Sequence, residues 1–156
     1  MHFAIVRALF NAEITAGLLE GARKAFDEAR VSKRDLDVYE VPGSFELPLA
    51  ALWLASSGRY DAIVCLGCVI RGETAHFEFV AGEAARGIAD VALKTKIPVI
   101  FGVLTTENVE QARARSGSVA RGQSQHTGLQ AEGNKGYEAA QSALQMAALR
   151  RKIRKK

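Results

Sequence analysis

Apolar and polar positions along the chain repeat with two periods that take turns. Residues 2–7 (HFAIVR) form a short apolar run, and Ile14, Leu18, Ala22, Phe26 and Ala29 then recur at helical spacing as far as Arg30. The change happens again when residues 36–41 (LDVYEV) alternate, stop at Pro42-Gly43, and lead into an Ala- and Leu-rich helix ending near Gly58. Residues 61–70 (DAIVCLGCVI) are apolar on both faces, as a strand buried between two layers must be. A long helix from Thr74 carries Val80, Ala84, Ile88, Val91 and Ala92, and Pro98 to Leu104 forms a fourth buried strand. Thr105-Thr106-Glu107 reads as a helix start, Arg113 and Arg115 close that helix, and a last helix runs from Asn134 to the C-terminal residues.

The resulting βαβαβαβαα pattern predicts an α/β fold: a three-layer αβα sandwich around a four-stranded parallel, flavodoxin-like sheet of order 2-1-3-4. At 156 residues and 48% hydrophobic, residues 1–156 are expected to form one domain. The polar, glycine-rich stretch 116–133 (SGSVARGQSQHTGLQAEG) has neither period and is expected to be an insertion.

Charge changes this picture little. The formal net charge is +4, but residues 150–156 hold six of the 21 basic residues and no acidic one. The rest has 15 basic against 17 acidic residues, a net charge of −2, so the basicity belongs to a helix end where it complements the dipole. No nucleic-acid or membrane partner is expected. No apolar run is long enough to cross a bilayer, and Met1-His2-Phe3-Ala4-Ile5-Val6 lacks the features of a signal peptide, so a cytoplasmic protein is expected. Cys65 and Cys68 have C-x-x-C spacing, but inside a strand positions three apart face opposite ways, which predicts two buried, reduced thiols.

In an open parallel sheet, ligands gather beyond the carboxyl ends of the strands, and the chemistry-bearing residues crowd there. Phe10 and Asn11 follow the first strand, and Ser44, Phe45 and Glu46 follow the second; two aromatics there make a platform for a flat heterocycle, with polar groups for hydroxyls and amides. After the third strand, Gly72-Glu73-Thr74 leads into a helix, with Thr74 the expected N-cap and backbone N–H groups suited to phosphate. No Walker or dinucleotide glycine pattern is present. His76 falls in the first turn of that helix, where a neutral imidazole can accept and return a proton. Arg115 and Lys135 are the remaining cationic candidates.

Four segments, VPGSFELP (41–48), GCVIRGETAHFEFV (67–80), PVIFGVLTTENVEQA (98–112) and GNKGYEAAQSALQMA (133–147), closely resemble the lumazine synthase family of riboflavin biosynthesis. The resemblance implies a cofactor-free condensation of 5-amino-6-ribitylamino-pyrimidinedione with 3,4-dihydroxy-2-butanone 4-phosphate. It implies that Phe10 stacks on the pyrimidine, that Ser44, Phe45 and Glu46 hold the ribityl chain, and that Val69 and Ile70, next to Cys68, present backbone groups to the heterocycle. Gly72, Glu73 and Thr74 match the phosphate-binding turn and His76 the proton-transfer histidine. Arg115 matches the phosphate-gripping arginine, Lys135 a nearby lysine and Phe101 an aromatic wall, these three coming from an adjacent subunit of a homo-oligomer.

Some positions depart from the family pattern. Cys68 stands where threonine is common, Leu9 where arginine is frequent, and the chain starts almost directly at its first strand. Arg115 and Lys135 are 20 positions apart where the family shows roughly eight, so about 12 residues are extra. The short turn at this place helps pentamers pack into shells, so a pentamer or pentamer pair is expected rather than a capsid. Arg113 and Arg121 lie close enough in sequence to compete with Arg115 for this register. Riboflavin synthase is a conceivable partner, and two other functions compete: an archaeal-type riboflavin synthase and a non-catalytic flavin or lumazine carrier.

Overall fold

The computed structural model describes residues 1–117 and 133–154. Strands β1 (Phe3–Ala8), β2 (Leu36–Val41), β3 (Ala62–Ile70) and β4 (Val99–Thr106) form one sheet in the order β2-β1-β3-β4, every pair parallel. Helices α1 (Ala12–Glu28), α4 (Val109–Ser116) and α5 (Lys135–Arg154) cover one face, and α2 (Leu47–Ser56) and α3 (His76–Thr95) the other. This is the expected three-layer α/β sandwich.

Strand alternation splits the core in two. Phe3, Ile5, Val64, Leu66 and Cys68 pack with Leu18 and Phe26 of α1 and Ala140 of α5, while Ala4, Val6, Ile63 and Cys65 pack with Leu47, Ala51 and Ile88 of α2 and α3. Cys65 and Cys68 thus lie on opposite faces as free thiols, and burial pushes them up to about 12 and about 11. Edge strand β2 is half-buried or exposed throughout, which is why its sequence alternates while that of β3 does not.

Two helix starts differ from expectation. Thr105 and Thr106 finish β4, and α4 begins only after Asn108, whose Oδ1 accepts the Gln111 N–H at 2.9 Å. Pairing with β3 carries the strand two residues further, since Val69 and Ile70 still have partners in Thr105 and Thr106. Similarly, α3 begins at His76 after Ala75, so Thr74 stands one residue before the cap; its Oγ1 accepts the His76 N–H only at 3.4 Å.

Asn134 ties three helices together. Its Nδ2 donates to the Ser116 carbonyl at 2.6 Å and the Gly17 carbonyl at 2.9 Å, while Oδ1 accepts from Gly136 N–H at 2.9 Å and Tyr137 N–H at 3.2 Å. Glycine is required around it: a Cβ on Gly21 would lie 2.2 Å from Asn134 Oδ1, and one on Gly136 would lie 1.9 Å from the Leu18 carbonyl oxygen. Ser116, expected at the head of the insertion, is instead the buried last residue of α4. The rest of that stretch, 118–132 with Arg121, lies outside the described residues.

At the amino-terminal rim of the sheet, Tyr60 donates from its hydroxyl to Asp37 Oδ2 at 2.7 Å, and His2 Nε2 and Arg59 Nη2 each approach the same oxygen at 3.2 Å. The Tyr60 hydroxyl first, then His2 and Arg59, hold the Asp37 carboxyl below its ordinary value against the opposing effect of burial.

Candidate functional site

Pairing of β1 with β2 continues past both strands: Leu9 N–H donates to the Val41 carbonyl at 2.9 Å and Phe10 N–H to the Pro42 carbonyl at 3.0 Å. Phe10 is thereby set beside the Pro42–Phe45 turn, and both rings are open, Phe10 at 74% and Phe45 at 58% exposure. Asn11 turns the chain into α1 with φ 56°, a left-handed conformation that asparagine tolerates better than most residues. From there its Nδ2 crosses to the Cys68 carbonyl at 2.9 Å, so this donor serves to hold the crevice together.

β1 pairs with β3 only as far as Leu66, whereas β4 accompanies β3 to Ile70. The last residues of β3, with Val69 and Ile70 among them, therefore turn one backbone edge toward the space beyond β1 instead of toward another strand. Ser44 packs against this stretch. A Cβ on Gly67 would lie 2.5 Å from Ser44 Oγ, so glycine is what lets the turn approach. The Ser44 hydroxyl is buried and has no hydrogen-bond partner among the described residues; Glu46 beside it is exposed.

Gly72, Glu73, Thr74 and His76 form an exposed corner between β3 and α3, with His76 in the first helical turn as expected. Arg71, just ahead of it, donates from Nε to Glu107 Oε2 at 2.7 Å and from Nη1 to Glu78 Oε1 at 3.0 Å, its guanidinium 4.4 Å from the centre of the Phe77 ring. Glu78, then Glu107, stabilise its charged form.

Phe101, Arg115 and Lys135 meet elsewhere. They line a cleft of about 360 Å³ along the outer edge of β4, closed by the ends of α4 and α5, with Thr105, Glu138 and Ser142. The candidate residues at the ends of β1, β2 and β3 do not enter it. Arg115 Nη1 donates to the Gln111 carbonyl at 3.0 Å and leaves its charge facing the cleft, whereas Arg113 is committed to Glu13 by two contacts of 3.3 Å. Of these two arginines, Arg115 lines the cleft and Arg113 does not. Lys135 Nζ donates to Glu138 Oε2 at 2.6 Å, an i,i+3 pair. Glu138 was missed at the sequence level, although its spacing from Lys135 is the signal that marks such pairs.

Fold and geometry define a parallel α/β protein with exposed aromatic and polar groups at the carboxyl ends of its strands and a separate cationic cleft on its β4 flank. The family model described as 6,7-dimethyl-8-ribityllumazine synthase matches residues 1–151, and the chain belongs to that family of riboflavin-biosynthesis transferases.

Proposed function

We propose that this chain condenses 5-amino-6-ribitylamino-2,4-pyrimidinedione with 3,4-dihydroxy-2-butanone 4-phosphate to 6,7-dimethyl-8-ribityllumazine, phosphate and two waters, at sites completed between neighbouring copies. One observation carries the reading. Phe101, Arg115 and Lys135 line a cleft that the strand-end candidates do not enter, so a protomer offers two halves rather than one pocket. A second copy that lays its cleft against the first copy's strand ends joins a phosphate-gripping arginine to the Gly72–Thr74 turn. A homopentameric ring arranged in this way, working in the cytoplasm, has as many complete sites as subunits.

In this arrangement the Phe10 ring stacks on the pyrimidine, the backbone edge at Val69 and Ile70 meets its amide groups, and Ser44 with Phe45 and Glu46 receives the ribityl chain. The Ser44 hydroxyl, without a partner among the described residues, supports this, because a buried hydroxyl gains from a ligand hydroxyl the bond those residues do not supply. Phosphate sits on the N–H groups of Gly72, Glu73 and Thr74, opposite Arg115. The substrate's 5-amino nitrogen adds to the ketone carbon, and loss of water gives an imine. Proton removal then expels phosphate, and the ribitylamino nitrogen closes the ring with loss of the second water. His76 accepts and returns protons in these steps, while Lys135 and Phe101 close the other side. No cofactor is required, and holding the two substrates together supplies much of the rate.

The test is to mix purified protein with both substrates and follow lumazine absorbance, identifying the product by mass. Saturable lumazine formation above the uncatalysed rate is expected, with Arg115→Ala lowering kcat/KM for the phosphate substrate by roughly one to two orders of magnitude, the worth of a charged hydrogen bond. His76→Ala is expected to slow turnover less. No acceleration by the wild-type protein overturns the proposal, and conversion of lumazine to riboflavin transfers it to the synthase reading.

A further inference from the structure

Gly72, Glu73 and Thr74 stand in solvent, and a Cβ placed on Gly72 would meet nothing within 4 Å. A turn that offers backbone N–H groups to an anion is effective only when those groups are already oriented. Arg71 supplies that constraint from outside the turn. Its own N–H donates to the Thr106 carbonyl at 2.9 Å, extending the β3–β4 pairing by one residue. Its side chain reaches over to Phe77 and Glu78 in the first turn of α3, on the far side of the phosphate turn, and so closes a bridge across it.

The same guanidinium holds Glu107, where the β4–α4 corner begins. Glu107 N–H donates to Gln111 Oε1 at 3.0 Å, and the Gln111 carbonyl accepts from Arg115 Nη1 at 3.0 Å. One chain of contacts thus runs from the phosphate turn of one half-site to the arginine of the other.

We infer that Arg71 is a positioning residue for phosphate binding, which sets the Gly72–Thr74 turn through Glu78 and Glu107 and touches no substrate. This rests on reading that turn as the phosphate cradle. The opposite idea is that the Arg71 guanidinium grips phosphate directly, and the two carboxylates decide between them. If they anchor a brace, removing their charge loosens the turn and weakens phosphate binding. If they only occupy a phosphate-binding arginine, removing their charge releases it and strengthens binding.

The experiment compares the wild type, Arg71→Gln, Arg71→Lys and the double variant Glu78→Gln/Glu107→Gln. Two readouts are taken: KM for the butanone phosphate at saturating pyrimidine, and binding of inorganic phosphate without turnover. Arg71→Gln is expected to raise that KM about tenfold and weaken phosphate comparably, as loss of two exposed ion pairs and a cation–π contact implies. The pyrimidine KM stays unchanged, and the thermal midpoint falls only slightly, since exposed pairs stabilise a fold weakly. The double variant moves in the same direction, and Arg71→Lys, which keeps the charge without the fork, recovers part of the loss.

A lower KM in the double variant makes Arg71 a ligand and overturns the inference. An unchanged KM in Arg71→Gln does so too, and so does a rise in both KM values with loss of thermal stability. If the wild type binds phosphate yet forms no lumazine, the proposed reaction falls while the phosphate readout still judges the brace. A wild type that binds no phosphate removes cradle and brace together.

Discussion

Ser44 combines burial with a hydroxyl that no described residue answers, and that combination separates a structural role from a ligand-binding one. A hydroxyl that holds the fold together loses something when removed; one that waits for a ligand does not. Ser44→Ala is therefore expected to leave the urea midpoint unchanged or raise stability by up to about 1 kcal/mol, while raising the pyrimidine KM. A fall in stability with unchanged KM would count against the ribityl assignment. The thiols make a second residue-scale case. Both are protonated at neutral pH and buried, so neither Cys65 nor Cys68 is expected to react with a thiol reagent at pH 8 until denaturant is added. The sequence already contained their separation, because a strand's period of two fixes which way each thiol points. It did not contain the bond from Asn11 to Cys68, which depends on how β1 and β3 end relative to one another, whereas the i,i+3 spacing of Lys135 and Glu138 was in the sequence and went unread.

Elements were legible wherever one period ran unopposed. β2 has the bounds its alternation predicts, and the strand order follows from connection rules that leave few alternatives. Thr105 and Thr106 were misjudged because local helix-start chemistry competed with a pairing partner 36 residues away, and the ladder won. Asn134 was read only as the start of a helix, and its reach to Gly17 and Ser116 is invisible in a linear chain. Asn134→Ala removes a cap and strands two carbonyls, so a loss of about 2–4 kcal/mol in denaturant unfolding is expected. The rim of the sheet gives a pH prediction. Because Asp37 is held below its ordinary value, its contribution to stability is present above about pH 4, the usual carboxylate range, and is lost as pH falls through the depressed value. Asp37→Asn is expected to lower stability at pH 7 and to show a shallower loss between pH 5 and 2, measured by urea midpoints across that range.

At the scale of the whole molecule, the proposed division of the site would make activity a property of an assembly. Trp53, Phe79 and Leu93 are 66%, 70% and 79% exposed, apolar side chains on α2 and α3 that a neighbouring copy is well suited to cover. Light scattering is expected to give five or ten copies of the 16.8 kDa chain, and dilution to monomers to abolish lumazine formation. A mass near sixty copies would overturn the pentamer expectation, and an active monomer would remove the shared site. The Asn134 clip has a consequence of a different kind. Because it fastens Ser116 to the start of α5 directly, the two ends of whatever chain runs between Gly117 and Gly133 are anchored by the body of the protein. Chain added between two fixed ends costs little, since each doubling of a loop's length adds only about 0.6 kcal/mol of closure entropy. A foreign peptide spliced in between these anchors is therefore expected to leave the urea midpoint of the protein nearly unchanged.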